Sequence, residues 1–542
     1  MISRLLPRPR LPLLCAGIAA GVTLLAALLG PSGDAPSHLF QTWLYQHHGF
    51  SVWNNDWYAG RYEFVTYSVF YYPLAAHIGQ LGLLVPAAAV LGGSFAAICR
   101  REWGSTVTGP SIALSVTAPF VMIVAGVYPF MVATATAGLA VFFLQRQRRV
   151  PFALAVLATL GFSPLAFALL VGLLAAIALG QVDPLRAIAT HRFAFAAVVG
   201  VFITGVFLQR AFPSQGWYPY DFSDGSIVLG FSLAGLWITG KSPRARSLRM
   251  LFAVYLALNL VAFLLKSPIG SNGTRLWAIA GAPLLWLAAN ISKERSRMVV
   301  VPLLALAAAV QIGPWVKDAY SSWGNPAARS SYWRPAVNFL RQHPSLQYRV
   351  EAVATSGHWD AYYLADKGVP LARGWYRQDD FPDNAVLYND HLTALAYQHW
   401  LRSLGVRYVL LPDTKLDFSS RNEARLLRSG RSGLTLVAHT THWQFYALPD
   451  ATAITSAPTG ESAFVTAYGP NTVQVWLSGP GRYVVRVHYS PYWVTGPSGA
   501  CITPGPDGMT AVTVAVPSYL TLRVEPGVSS VANTVSSEST SC

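Results

Sequence analysis

The sequence predicts an α-helical polytopic membrane domain of about eleven spans, followed by an extracytoplasmic α/β domain and a small β-sandwich. Three observations lead there. Of 542 residues 53% are hydrophobic and only 12% charged, where soluble domains carry about 25% charged residues. Apolar runs recur up to residue 312 and then stop. Beyond them the composition becomes that of ordinary globular chains, first with mixed helix and strand signals, then with strands alone.

A bilayer core of about 30 Å takes roughly 17 to 25 apolar residues per helix. The runs lie at 11–30, 74–98, 105–125, 129–144, 151–162, 164–180, 193–208, 226–239, 251–265, 276–291 and 299–312. The first follows Arg4, Arg8 and Arg10, is long for a signal peptide and lacks a small-x-small cleavage site, so it reads as an uncleaved helix. With a cytoplasmic N-terminus, 17 of the 21 cations before Pro314 fall in inside segments; only Arg61, Arg210, Lys266 and Arg275 fall outside. Cytoplasmic loops favour Lys and Arg, so the C-terminal half is expected outside the cell membrane. The net charge of +15 is therefore a topology signal, and nucleic acid is not an expected partner.

The membrane domain is expected over 1–314, the α/β domain over 315–450, and the sandwich over 451–542 with a flexible C-terminal tail. In the α/β part, helices are expected at 333–340 and 391–404 and strands at 348–353 and 406–411. The sandwich rests on alternating runs at 472–477, 482–489, 510–516 and 519–524, separated by Gly and Pro turns. Cys501 and Cys542 both fall outside the membrane, where a disulfide can persist; two unpaired thiols fit equally well.

Chemistry concentrates in the first external loop, 31–73, which holds Asp34, Asp56, Glu63, three histidines and many aromatics. Asp34 follows the first membrane helix, where partial shielding from water suits a general base. Asp before Ala35-Pro36 also reads as a helix N-cap. His38 follows one helical turn later, and beside Phe40 and Trp43 it also reads as an interfacial packing residue. Trp53, Trp57, Tyr58, Tyr62, Tyr67, Tyr71 and Tyr72 could stack on sugars, but as a group they are expected in an interfacial belt. The external turn 266–275 places Lys266 and Arg275 around a Gly/Ser/Asn stretch before a helix, which suits a phosphate group. Walker-type, His-Glu-x-x-His, Cys-x-x-Cys and Gly-x-Ser-x-Gly motifs are absent, so nucleotide-driven transport, zinc hydrolysis and serine-hydrolase chemistry have no support.

Asp34 after the first helix, His38, the segment Trp53 to Gly60, and Tyr72-Pro73-Leu74 resemble polytopic membrane glycosyltransferases of the GT-C class. The likeness is nearest to bacterial membrane proteins described as related to 6-pyruvoyl-tetrahydropterin synthase. The external half resembles the YfhO-like branch at Trp400-Leu401-Arg402-Ser403-Leu404-Gly405-Val406-Arg407-Tyr408-Val409-Leu410-Leu411 and Tyr489-Ser490-Pro491-Tyr492-Trp493. The resemblance implies inverting transfer of a sugar from a polyprenyl-phosphate donor to an envelope glycan, glycolipid or protein. It implies Asp34 as base with His38 beside it, Arg275 with Lys266 and Arg61 on the donor phosphate, and Asp56, Trp57, Glu63 and Tyr72 on substrate. Many members carry paired acids, whereas Asp34 stands alone; no metal ligand is assigned, and a divalent cation, Mg or Mn, stays open. A flippase for a lipid-linked sugar and a non-catalytic scaffold are the alternatives.

Overall fold

A computed structural model of the chain describes residues 10–213, 216–496 and 499–536. Arg4, Arg8 and Cys542 lie outside the described residues. The chain divides into two compact units. The first comprises residues 1–35, 67–206 and 217–323; the second comprises 36–66, 207–216 and 324–542.

The first unit is helical, and each of the eleven apolar runs forms helix. Not all qualify as spans. Among the described residues seven helical stretches are long and apolar enough to cross a bilayer, or eight if Pro164–Leu179 and Pro184–Thr190, bent by 117°, make one span. Arg149–Phe162 is apolar but has 14 residues, about 21 Å of helix. One stretch, Gln80–Val124, is 45 residues long. It is a hairpin, because a Cβ on Gly92 would lie 2.9 Å from Ser115 Oγ, whereas a straight helix would put those positions roughly 35 Å apart. The turn Gly104–Val107 joins its arms. Gly92 also lies against the backbone of the first helix, at Cys15 O; without a hydrophobic drive between helices in lipid, such close small-residue contact supplies the packing. The last helix, Arg297–Ser322, runs past Pro314.

Among the described residues the second unit holds a short ribbon, Trp53–Asn54 paired with Arg61–Tyr62, and two larger β-structures. In the α/β part, Arg349–Ala352 pairs parallel with Val406–Pro412, which pairs antiparallel with Trp443–Ala447, and that with Thr435–His439. Helices Ser330–Gln342 and Ala394–Ser403 accompany the sheet, matching the sequence pattern. The sandwich has one sheet ordered Cys501–Pro504, Met509–Val514, Gly481–His488, Thr455–Ser456, and a second ordered Trp493–Gly496, Ser518–Val524, Thr472–Leu477, Ala463–Gly469. Inward residues of both, such as Val473, Val475, Tyr483, Val485, Val512 and Leu522, form one buried cluster. The Ser/Thr-rich segment past Gly527 forms helix Val528–Ser536, whose Val531 and Val535 pack against that cluster.

The first-loop aromatics are not an interfacial belt. Trp53, Trp57, Tyr58, Tyr62, Tyr71 and Tyr72 are buried. In the second unit, Trp53 and Tyr62 join the sandwich core, with Trp53 stacked edge-on to Trp493 at 5.6 Å. Trp57 Nε1 donates to Ala361 O at 3.0 Å. A sequence window showing many aromatics near a helix end does not distinguish a belt from a core whose other half arrives much later in the chain.

Candidate active site

Within the first unit Asp34 and Arg275 meet. Nη2 of Arg275 lies 3.7 Å from Oδ2 of Asp34, and their side chains are 18% and 27% exposed. The pair is an ion pair longer than a hydrogen bond, and both side chains are partly exposed.

Local structure on each side explains the placement. The turn after the first helix is pinned to the corner between Thr108–Val124 and Tyr128–Gln145: Ser32 Oγ donates to Val124 O at 2.6 Å, and Asp34 N donates to Ala125 O at 2.9 Å. Two glycines with positive φ make that approach possible. A Cβ on Gly33 would fall 2.1 Å from Ala125 O, and one on Gly126 would fall 2.3 Å from Ser32 O.

Arg275 opens helix Arg275–Ser292 after the 3₁₀ turn Gly270–Thr274. Its Nη2 donates to Asn272 Oδ1 at 3.0 Å, and its guanidinium lies 4.9 Å from the Phe130 ring centroid. The turn is tied down by Ser271 N donating to Pro219 O at 3.0 Å, Tyr255 OH donating to Gly273 O at 2.8 Å, and Asp221 N donating to Ser271 Oγ at 3.0 Å. Lys266 sits 4.9 Å over the Trp217 ring in the same turn region. Tyr67 is the member that the sequence hid among the aromatics. Burial pushes its phenol up to about 12, Arg275 opposing and Asp34 reinforcing, and it hydrogen-bonds Arg275. The phenol therefore keeps its proton at neutral pH and retains it to donate.

The other expected site residues are held differently. Tyr72, in the first unit, is fully buried, its ring 5.5 Å from that of Tyr71. In the second unit His38 is fully buried on helix Ala35–His48, its ring 6.2 Å from that of Trp375. Arg61 is bound by Glu63 at 3.1 Å and Asp379 at 2.6 Å and lies 3.5 Å over the Tyr376 ring. Glu63, wholly buried, also accepts from Asn54 and Tyr376. Burial and the neighbouring Glu63 push the Asp56 carboxyl up to about 7. Nothing in the loop spacing announced Asp379 or Tyr376, which lie some three hundred residues on.

A second buried ion cluster lies in the α/β part: Arg373 donates to both oxygens of Asp380 at 2.9 and 2.8 Å and stands 3.8 Å from Glu351 and from Glu423. Burial raises Glu351 and Glu423; for Asp380 burial is outweighed by Arg373, so it is lowered. Cys501 lies on its strand, and Cys542, with which a bridge or two free thiols fitted equally, lies outside the described residues.

Asp34 shares its place with a guanidinium, and among the described residues no three His, Cys, Asp or Glu side chains come together as a metal site.

No family model matches the chain, so the YfhO-like resemblance stays one of short motifs, and no characterised protein sequence matches it either. Two solved structures of an oligosaccharyltransferase from Archaeoglobus fulgidus align with it. One is tethered to an acceptor peptide containing the NVT sequon through a disulfide bond; it aligns at TM-score 0.37 and 11% identity over 75% of this chain and 69% of that one. The other, AglB with an inhibitory peptide and a dolichol-phosphate, aligns at TM-score 0.33 and 12% identity over 74% and 69%. Superposition this loose carries no weight for the site, which stands on its own residues.

Proposed function

We propose that the chain is a membrane glycosyltransferase of the GT-C type, transferring a sugar from a polyprenyl-phosphate donor to an envelope glycan, glycolipid or protein with inversion. The observation that supports this reading is the Asp34–Arg275 pair, a carboxylate and a guanidinium from distant parts of the chain converging 3.7 Å apart in the helical unit. Arg275 takes the donor phosphate, a bidentate partner for a guanidinium. Displaced from Arg275, Asp34 accepts the proton of the acceptor hydroxyl. The acceptor oxygen bonds the anomeric carbon as the carbon–phosphate oxygen bond breaks, and the charge leaves on the lipid phosphate beside Arg275, with the Tyr67 proton within the same cluster. Fully buried His38 takes no proton in this scheme, and no step runs through a metal. On the positive-inside reading this site faces outward, where lipid-linked donors need no nucleotide.

The test is Asp34→Asn in proteoliposomes supplied with a polyprenyl-phosphate sugar and an acceptor lipid extract. Transfer should fall roughly 10²- to 10⁴-fold at unchanged protein abundance. Wild-type transfer by the variant would sink the assignment.

A further inference from the structure

A second cationic site lies in the first unit, on the side that the arginine distribution assigns to the cytoplasm. A pocket of about 460 Å³, counting its open mouth, is lined by Arg148, Arg149, Arg192 and His191 and, as its apolar floor, by buried Phe152, with Phe193, 40% exposed, beside them. None of the described residues lining it is acidic. Gln147, at φ +58, turns the chain so that Arg148 and Arg149 follow at the rim.

The elements around it set its depth. Arg192 begins helix Arg192–Ala211, a candidate span with 6% of its apolar window buried, so most of this helix is left to lipid. The cationic start of such a span sits where hydrocarbon meets headgroups. On the neighbouring helix Val150 and Leu154 are 66% and 61% exposed, and Phe195 is 56% exposed on the first. A cationic rim beside exposed apolar surface matches the two ends of one ligand class: a phosphate headgroup and acyl chains.

We infer that this pocket binds the headgroup phosphate of an anionic phospholipid of the arginine-rich leaflet. The full-length chain is reconstituted in nanodiscs of phosphatidylcholine alone or with phosphatidylglycerol, and phosphatidylglycerol retained through detergent exchange is measured by mass spectrometry beside the unfolding midpoint. Arg149→Gln with Arg192→Gln should weaken phosphatidylglycerol retention about 25-fold, at about fivefold per arginine, and abolish the upward shift in midpoint. Arg149→Lys with Arg192→Lys should keep both, which separates a lost site from a misfolded chain. Arg244→Gln with Arg246→Gln removes the same charge elsewhere on the same side and should leave retention at the wild-type level. Equal loss in that control, or full retention in the first variant, overturns the site. Inorganic phosphate raising the midpoint in phosphatidylcholine discs as much as phosphatidylglycerol does overturns the lipid as its source.

Discussion

Arg275 and Arg61 are both external cations in the sequence reading, both sit beside carboxylates, and they belong to different units. Arg61 has two carboxylates within 3.1 Å, a tyrosine ring beneath it, and a side chain 9% exposed. Arg275 has one carboxylate, at 3.7 Å, and twice that exposure. A guanidinium whose donors are filled by close, desolvated carboxylates organises a fold; in the proposed reading, one whose carboxylate stands off keeps capacity for a ligand. Charge and position along the chain do not separate these cases. Partner saturation does.

The largest effect that tests the contrast is on stability. Arg61→Ala leaves Glu63 and Asp379 without their partner, and removing one side of a buried pair costs about 3–5 kcal/mol. Thermal unfolding and protease resistance of the second unit should both fall; a midpoint equal to wild type would put Arg61 with Arg275.

Next is the glycine contact beneath Asp34. Gly126→Ala puts a Cβ against Ser32 O at a positive φ, strain of about 1–3 kcal/mol. Sugar transfer should drop while the second unit keeps its unfolding midpoint. Unchanged transfer would mean that the corner does not position Asp34.

A pH series sharpens the account of the second unit. Asp56 has its pKa raised from 3.8 to about 7, chiefly by burial. Its protonated form contributes stability that is complete below 3.8 and is lost as pH rises through about 7. The midpoint of Asp56→Asn should therefore gain on wild type between pH 4 and 8. Buried His488, pushed down to about 4, titrates in the opposite sense, and it cancels in that difference. A difference that is flat with pH would show Asp56 ionised throughout.

The smallest stability effect is expected at Arg275. Arg275→Gln should shift the midpoint by less than about 1 kcal/mol, as for partly exposed pairs, yet weaken donor affinity. Arg275→Lys should retain part of that affinity as a point charge without the fork. Equal donor affinities for the two variants would count against a bidentate phosphate contact.

Local periodicity made much of this legible. Every apolar run became helix, and the four expected sandwich strands lie within two residues of their alternating patterns, while Thr455–Ser456, Ala463–Gly469, Trp493–Gly496 and Cys501–Pro504 were not anticipated. The number of spans did not follow, because hydropathy registers apolar length and not whether a helix such as Arg149–Phe162 is long enough to cross. Asp34 and Arg275 were readable as exceptions, an acid and a cation where each is scarce, but their pairing was not. Trp57, Arg61 and Glu63 looked equally exceptional, and what set them apart, contacts to Ala361, Asp379 and Tyr376, depends on long-range folding that no window of sequence contains.

The second unit draws on three stretches of chain, 36–66, 207–216 and 324–542, and this sets an order on biosynthesis. Trp53 and Trp57 leave the ribosome early, whereas Ala361 and Trp493 emerge only after the last apolar helix. For most of translation, then, a segment rich in tryptophan waits with its packing partners still unmade. Domains fold as units once their chain is complete. A chain halted at Trp323 would contain every element of the helical unit and leave this segment uncovered, a ready target for quality-control proteases.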